Sequence, residues 1–284
     1  MIIIKVFSDF CDTSCWKHFV SINDLENDCN YNKKYKFTED EDYTHVFILN
    51  TATPILKNIP KENVIGLAFE PTPFLNLNFQ FINYAKKYIG KYFIGDKNNM
   101  GEPFIERHGY LWHKRINSFK ENKIENKREK KMSIIMSHKL ISEQHKYTHL
   151  LALSILRTDL PIDIYGTGCK FYNIKDDRIK GPFEDKEPYI NYKYHITVEK
   201  FSLPHYFSEK IVNPLLYNCV PIYLGCKHDY FPNMTIRLSG DLNKDMELIT
   251  NICNSDDKNI PNIDIDKIDK VTNIKYLIEE LFLQ

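Results

Sequence analysis

Acidic, hydroxyl and basic side chains gather in one run of this chain, between Tyr192 and Gly225. The run reads as a strand, an acidic turn, a helix and a second strand. The residues around the predicted helix start are Glu199, Tyr206, Ser208, Glu209 and Lys210. A helix N-terminus carries unpaired backbone N–H groups and a partial positive charge, so a lysine in its first turn suits a phosphate or diphosphate. The two carboxylates could hold sugar hydroxyls.

The same run resembles the donor-binding signature of the α-1,3/1,4-fucosyltransferases, glycosyltransferase family 10. That pattern is Tyr-Lys-Phe, a few apolar residues, Phe-Glu-Asn, a spacer, Asp-Tyr-Val-Thr-Glu-Lys, then Asn-Ala-Leu and Val-Pro-Val, ending in Gly. The positions that match by identity or close chemistry are Tyr192, Lys193, Tyr194, Glu199, Tyr206, Ser208, Glu209, Lys210, Asn213, Val220, Pro221 and Gly225. Order and spacing agree along the whole run, which is far more specific than a lone glycine-rich loop.

A second block, ending in Ile-Asp-Ile-Tyr-Gly at Ile162 to Gly166, resembles the family's first nucleotide-binding block. The resemblance implies that Tyr165 and Gly166 bind the donor, since glycine lets a backbone approach a base or ribose closely. The family has an arginine at the helix opening that contacts the diphosphate. The best alignment puts Lys146 there, with His145 and Lys139 as rivals. A lysine keeps the charge but loses the bidentate fork of arginine.

Glu70 is the candidate general base. It follows an apolar strand, and Pro71 and Pro73 stiffen the turn after it. The family has Glu-Ser-Pro in the corresponding place, and the resemblance implies that its glutamate is the base. Here the serine is missing, so an ordinary exposed turn glutamate remains the alternative.

The resemblance implies an inverting transfer of fucose from GDP-fucose to a hydroxyl of a glycan acceptor. In such a reaction a base removes the acceptor's proton while positive charge stabilises the leaving diphosphate. The implied substrates are a nucleotide sugar and a glycan or glycoconjugate, with no metal or other cofactor required. Two departures put the donor in doubt: Lys200 replaces the family's asparagine, and Pro214 lies inside the predicted helix. A same-fold transferase that uses another nucleotide-deoxysugar, or a non-catalytic protein that binds a nucleotide sugar, therefore stays open.

The whole-chain composition is that of a folded protein with two domains. The chain has 284 residues, of which 43% are hydrophobic and 27% charged. Lysine plus arginine equals aspartate plus glutamate at 38 each, so no basic field indicates a nucleic-acid partner. Any anion site must be local.

No stretch of the sequence approaches the roughly 20 apolar residues of a membrane span. The N-terminal run Met1–Phe10 is broken at Lys5, so it reads as a first buried strand and not as a signal peptide. We therefore expect a cytoplasmic protein without an anchor, as in bacterial or viral members of the family.

Seven scattered cysteines predict free thiols, because their number is odd and they form no paired CxxC motifs. Cys11, Cys15 and His18 lie close together in the sequence, but no second ligand pair follows at a zinc-finger spacing. A turn and helix are expected there.

Apolar runs alternate with segments of helical length, the pattern of parallel sheets flanked by helices. The predicted strands are Ile2–Phe7, His45–Leu49, Val64–Phe69, Tyr92–Ile94, Ser133–Met136, Ile162–Tyr165, Tyr194–Val198, Val220–Tyr223 and Thr235–Leu238. The predicted helices are Phe79–Tyr88, Glu143–Leu156, Ser208–Tyr217, Asn243–Asn254 and a closing helix near Thr272–Phe282.

The run 119–131 is almost entirely charged or amide, and its glutamates interleave with its lysines, so it is interpreted as a solvated linker. We predict an N-terminal acceptor-side domain over 1–118 and a nucleotide-sugar-binding domain with the closing helix over 132–284. The resemblance implies the GT-B architecture, an α/β fold with two Rossmann-like domains facing a cleft.

Overall fold

The computed structural model describes residues 1–121, 127–256 and 260–283. They form two compact units. The first unit comprises Met1–Asn117, Leu203–Tyr206 and the segment that begins at Asp269. The second comprises Ser118–Ser202 and Phe207–Ile268.

Each unit is built on a parallel sheet that has six strands within the described residues. The strands of the first unit are β1 (Ile2–Ser8), β2 (Tyr35–Thr38), β3 (His45–Leu49), β4 (Val64–Leu67), β5 (Lys91–Ile94) and β6 (Phe104–Glu106). Those of the second unit are β7 (Lys130–Ile135), β8 (Ile162–Tyr165), β9 (Ile179–Gly181), β10 (Tyr192–Val198), β11 (Val220–Leu224) and β12 (Ile236–Arg237). The helices are α1 (Trp16–Ile22), α2 (Phe79–Tyr88), α3 (Ile116–Glu121), α4 (Glu143–Leu156), α5 (Glu209–Leu216), α6 (Leu242–Asn254), α7 (Ile265–Thr272) and α8 (Ile274–Phe282).

The first sheet has the order β2-β1-β3-β4-β5-β6. The chain therefore leaves β1 toward one edge for β2 and returns on the other side for β3, as in flavodoxin-like sheets. Its central strands are apolar throughout because helices cover both faces: Val46 and Leu49 of β3 are both completely buried. The neighbours β1 and β3 mark the switch point, where ligands of such sheets usually bind.

The second sheet has the order β12-β11-β10-β7-β8-β9. Counted within this unit, that is the order 3-2-1-4-5-6 of the dinucleotide-binding Rossmann fold. Its switch point lies between β7 and β10, which pair from Tyr192 beside Lys130 to Ile196 beside Ile134. The carboxyl ends of these two strands are therefore the expected ligand edge.

The two faces of the second sheet are packed differently. On one face, Ile134 and Ile196 pack with Leu151 of α4 and Ile249 of α6. The other face carries an aromatic group, which we call the tyrosine cluster, with Tyr165, Tyr189, Tyr192 and Tyr217 as members. This second face is the one on which α5 lies, since Tyr189 forms a hydrogen bond to the Asn213 side chain.

The α/β class and the two parallel sheets predicted from the sequence are confirmed. The strands that the sequence did not predict are β2, β6 and β9, each of which lies at a sheet edge and has only three or four residues. Segments so short carry no usable alternation of apolar and polar residues.

The domain boundaries differ from the sequence interpretation in two places. Residues 119–121 belong to α3, and Lys130 and Lys131 begin β7; residues 122–126 of the expected linker lie outside the described residues. The closing helix α8 lies in the first unit, where Ile274 and Ile278 join the core around Phe19. Its apolar face could be read from the sequence, but not the core that it covers.

The expectation that all cysteines are free thiols is wrong for Cys11 and Cys15, which form a disulfide across one turn after β1. The expectation holds for Cys29, Cys169 and Cys219, which are free thiols. In the described part of the chain, no helix combines the length and the apolar character that crossing a bilayer takes.

His195 is a core histidine with a hydrogen-bond partner. It lies in β10, is 3% exposed and places Nδ1 2.8 Å from Ser133 Oγ. Its ring packs edge-on against Tyr189. Burial lowers the pKa of His195 to about 3.

We expect protein stability to fall as the pH drops below about 6.5, because the unfolded chain protonates His195 near its ordinary pKa while the folded protein does not. The contribution of this residue approaches about 1.4 kcal/mol per pH unit between those two pKa values. Denaturant titrations of the wild type and of His195→Gln at about pH 7 and about pH 5 measure it. His18→Gln changes an exposed histidine and should keep the wild-type slope. An unchanged slope in His195→Gln would contradict the assignment.

Candidate functional site

A buried carboxylate ties the end of β10 to the start of α5. Glu199 directly follows β10 and is 1% exposed. Its Oε1 accepts the Ser208 backbone N–H at 2.9 Å, and its Oε2 accepts the Ser208 hydroxyl at 2.7 Å. The Tyr223 hydroxyl donates to Oε1 at 3.4 Å. Burial raises the pKa of Glu199, and the nearby Lys210 opposes that shift. The sequence suggested that Glu199 binds sugar hydroxyls. In the structure its carboxylate oxygens accept hydrogen bonds from groups of the protein itself.

Ser208 begins α5 as its N-cap. Its hydroxyl oxygen accepts the Lys210 backbone N–H at 3.3 Å while the hydroxyl donates to Glu199. A serine in this position satisfies one of the helix's open N–H groups. Glu209, the first helical residue, is exposed. Ser208 thereby places Glu209 and Lys210 together at the carboxyl edge of the second sheet.

Lys210 is held against the end of β10, where its Nζ donates to the Val198 carbonyl at 2.9 Å. Burial lowers the pKa of Lys210, while the carboxylates of Glu199 and Glu209 act to raise it. The positive charges of Lys200 and Lys139 lower it again. Lys210 is therefore a desolvated cation with further cations nearby.

His145 belongs to the same group of cations. It lies in the first turn of α4, where its Nδ1 is 2.7 Å from the hydroxyl of the N-cap Ser142. Burial lowers the pKa of His145, and the charges of Lys210, Lys200 and Lys139 lower it further. We call these four residues the cation cluster: Lys139, His145, Lys200 and Lys210. The cluster lies at the switch point between β7 and β10, the edge at which an anionic ligand is expected.

Lys146, the preferred sequence candidate, lies apart from this cluster. Its side chain is 57% exposed and its Nζ forms an ion pair with Glu143 Oε1 at 2.8 Å along the surface of α4. His145, which the sequence interpretation ranked behind it, is buried and faces the cluster.

A small cavity of about 80 Å³ adjoins Lys210 on the face of the sheet that carries the tyrosine cluster. Ser137, Thr197 and Tyr189 also line it. Asn213 of α5 forms a side-chain hydrogen bond with Tyr189. Asn213 thus helps to hold Tyr189 in the wall of the cavity.

Tyr165 ends β8 and is 8% exposed. Its hydroxyl lies 2.9 Å from that of Tyr192, which donates to Asp163 at 2.5 Å. The Tyr165 ring lines a larger cavity of about 410 Å³, together with Lys130, Lys180 and others. The Tyr165 hydroxyl therefore already has a hydrogen-bond partner within the protein, the hydroxyl of Tyr192.

Gly166 is required by the protein's own backbone. It has φ of 105°, and a Cβ there would overlap the carbonyl oxygen of Met136, which follows β7. Gly168 donates its N–H to the same carbonyl at 2.9 Å. The sequence suggested that these glycines make room for a base or ribose; the backbone that approaches them is that of Met136 and Ser137.

Gly166→Ala should therefore lower the free energy of unfolding by about 1–3 kcal/mol, through the left-handed φ and the overlap with Met136. Gly101→Ala is the matched control, because a Cβ at Gly101 meets nothing within 4 Å. Chemical denaturation of the three proteins measures the difference. Equal stability of both variants would show that the close approach at Gly166 is wrong.

Tyr206 groups with the first unit. It is 6% exposed, and the His205 N–H beside it donates to the Gly95 carbonyl at 2.8 Å. A Cβ at Gly95 would come within 2.7 Å of the Tyr206 Cβ. The donor-binding role that the resemblance implies for Tyr206 stays a prediction.

Glu70 lies beyond the carboxyl end of β4 in the first unit, at a half-buried position. Its N–H and that of Phe69 donate to the Asn50 side-chain oxygen, at 3.3 and 2.8 Å. After it, Thr72 donates its hydroxyl to the Asp96 carbonyl at 2.7 Å. Hydrogen bonds thus tie this turn, which follows β4, to the residues that follow β3 and β5. The sequence interpretation missed Asn50, although a polar residue directly after a buried strand is a usable signal.

Residues 125–238 match the family model described as "Glycosyltransferase family 10 (fucosyltransferase) C-term". The resemblance carried by Glu199 and Ser208 to Lys210 is thereby confirmed over the segment that forms most of the second unit.

A fucosyltransferase-like protein of Acanthamoeba polyphaga mimivirus is 31% identical over 134 residues, which are 40% of this chain and 22% of the relative. The match thus spans about a fifth of the length of this viral relative.

Solved structures share the fold over nearly the whole chain. An α1,3-fucosyltransferase superposes with a TM-score of 0.54 at 12% identity, covering 89% of this chain and 77% of its own. An α1,3-fucosyltransferase with GDP gives 0.53 at 11% identity, covering 99% and 90%. An α-glucosyltransferase in complex with UDP and DNA gives 0.52 at 10% identity, covering 99% and 98%. At these identities the likeness establishes the GT-B fold.

Proposed function

We propose that this protein is an inverting glycosyltransferase that moves fucose from GDP-fucose to a hydroxyl of a glycan acceptor. The observation that carries the proposal is the cation cluster at the switch point of the second sheet, within the segment that matches the family 10 model. The cation cluster favours an anionic partner, because the negative charge of such a partner relieves the repulsion among its four basic side chains.

In this proposal the diphosphate of the donor binds at Lys210 and the start of α5. Negative charge grows on the diphosphate as the bond to the sugar breaks, and fixed cations stabilise that charge without reorganisation. Lys210 is suited to the role because its hydrogen bond to Val198 holds its Nζ in place before the ligand arrives. These side chains supply the positive charge that a metal ion supplies in other transferases.

Glu209 is proposed to face the fucose, as the family resemblance implies, and Asn213 is proposed as a further donor-binding residue. Glu209 is exposed next to Lys210 and can accept hydrogen bonds from sugar hydroxyls. Glu199 acts as a positioning residue, since its carboxylate fixes Ser208 and through it the helix start.

Glu70 is the proposed general base. It removes the proton of the acceptor hydroxyl as that oxygen attacks the anomeric carbon on the face opposite the diphosphate. Its turn is held by Asn50 and by Thr72, so the carboxylate starts from a defined backbone.

GDP-fucose should stabilise the protein by about 2.7 kcal/mol at a hundredfold excess over its Kd, a rise in melting temperature of about 5 °C. Lys210→Met should raise the Kd about 10- to 100-fold, because a charge-assisted contact to the diphosphate is lost. Thermal melts with GDP-fucose, GDP, UDP-glucose and a dTDP-deoxysugar measure both effects. Lys244→Ala, at an exposed lysine of α6, is the control and should bind as the wild type does.

Each other outcome of this panel has a defined meaning. Stabilisation by UDP-glucose or the dTDP-deoxysugar, but not by GDP-fucose, would show that the donor is that nucleotide sugar and not GDP-fucose. GDP-fucose binding without transfer to any glycan, unaffected by Glu70→Gln, would indicate a binding protein. No stabilisation by any nucleotide would contradict the proposal.

The adjacent pair His145 and Lys146 gives a second test. We expect His145→Gln to weaken GDP binding about tenfold and Lys146→Ala to change it less than twofold, because only His145 faces the cation cluster. Since its pKa is depressed in the free protein, His145 should take up a proton when the diphosphate binds, so the affinity for GDP should rise as the pH falls from about 8 to about 6. Calorimetric titrations with GDP at both pH values measure this. If Lys146→Ala lost more affinity for GDP than His145→Gln, Lys146 would be the residue that corresponds to the family's arginine at the helix opening.

A further inference from the structure

Three loops at the carboxyl edge of the first sheet are joined by hydrogen bonds. Asp9, after β1, accepts the Thr51 backbone N–H at 3.1 Å and the Thr51 hydroxyl at 2.7 Å through Oδ2. The neighbouring Asn50, after β3, accepts the backbone N–H groups of Phe69 and Glu70. These hydrogen bonds form a polar row from Asp9 to Glu70. The row runs from the switch point between β1 and β3 to the candidate base and lies entirely within the first unit.

Aromatic rings lie beside this polar row. Phe10 is 45% exposed, and its ring centroid is 5.2 Å from that of Phe69. Phe69 in turn lies 4.9 Å from Trp112. We call Phe10, Phe69 and Trp112 the aromatic platform.

The loop that carries Phe10 is fixed. The Ser8 hydroxyl oxygen accepts the N–H groups of Phe10 and Cys11, at 3.1 and 3.2 Å, and Cys11 is joined to Cys15 at the start of α1. A large ring is thus held partly exposed next to hydrogen-bonding groups. Binding sites at switch points commonly combine aromatic walls with a few convergent polar groups.

The charge at this edge selects the kind of ligand. Asp9 directly precedes Phe10 and Glu70 directly follows Phe69, so two acidic residues adjoin the platform along the chain. Carboxylates repel the phosphates of a nucleotide. A neutral, hydroxyl-rich ring with an apolar face fits instead: its C–H face packs on the aromatic rings and its hydroxyls donate to the carboxylates.

We propose that this edge binds one pyranose ring of the acceptor glycan, with its apolar face on Phe10 and Phe69 and its hydroxyls toward Asp9 and Glu70. The proposal rests on the proposed function, since it places the acceptor sugar next to the candidate base. Phe10 and Asp9 are binding residues that the sequence interpretation did not single out.

The chain's two tryptophans, Trp16 and Trp112, allow a direct test without donor or catalysis. In a Trp16→Phe background Trp112 is the only indole, and its emission should change saturably when lactose, cellobiose, chitobiose or maltotriose is titrated. At least one of these four sugars should bind, and Phe10→Ala should raise its Kd at least about fivefold, because stacking on the ring is lost. Phe10→Tyr should restore binding.

Phe79→Ala is the matched control: Phe79 is 77% exposed in the same unit, at the start of α2, and its removal should leave the Kd unchanged. The proposal would be overturned if none of the four sugars changed the Trp112 emission, if Phe10→Ala and Phe79→Ala had equal Kd values, or if GDP displaced the sugar. Stabilisation by GDP-fucose should be the same in Phe10→Ala and the wild type. Sugar binding without any response to GDP-fucose would therefore tell against the donor assignment while leaving the sugar site intact.

Discussion

The second unit of this protein depends on hydrogen bonds that satisfy one buried carboxylate. Glu199 is almost completely buried, and a carboxylate in that environment is costly unless its oxygens accept hydrogen bonds. Ser208 supplies two, from its N–H and its hydroxyl. Gly225 leaves room for this arrangement, because a Cβ there would overlap the Glu199 side chain. The loop from 199 to 208 must therefore close onto the end of β10, and α5 begins at the switch point.

Placing α5 there has an electrostatic consequence. Lys210 comes to lie against Val198, near Lys139, His145 and Lys200. Burial and the charges of Lys139 and Lys200 lower the pKa of Lys210 and of His145 in the free protein. A diphosphate bound here, as proposed, would oppose those shifts, because its negative charge makes protonation favourable. Binding would then be coupled to proton uptake.

The two sheets solve the same problem with different strand orders. In each, the order reverses between two central strands, and the loops that follow those strands diverge and leave room for a ligand. The loops at that edge carry Asp9, Glu70 and aromatic rings in the first unit, and the cation cluster beside Glu199 and Glu209 in the second. This difference is the basis for proposing a neutral sugar as the ligand of the first unit and a nucleotide diphosphate as that of the second.

The sequence by itself determined the parallel α/β class, the elements with long apolar runs, and the family of the segment around Ser208 to Lys210. It could do so because buried strands and a helix N-cap have local signatures, and because motif spacing survives when most of the sequence has changed. Only the tertiary structure decided that α8 covers the first core, that His145 and not Lys146 faces the cations, and that Gly166 serves the backbone of Met136. Each of these depends on which surface a residue meets across the fold, and contacts between residues far apart in the chain leave no periodicity to read.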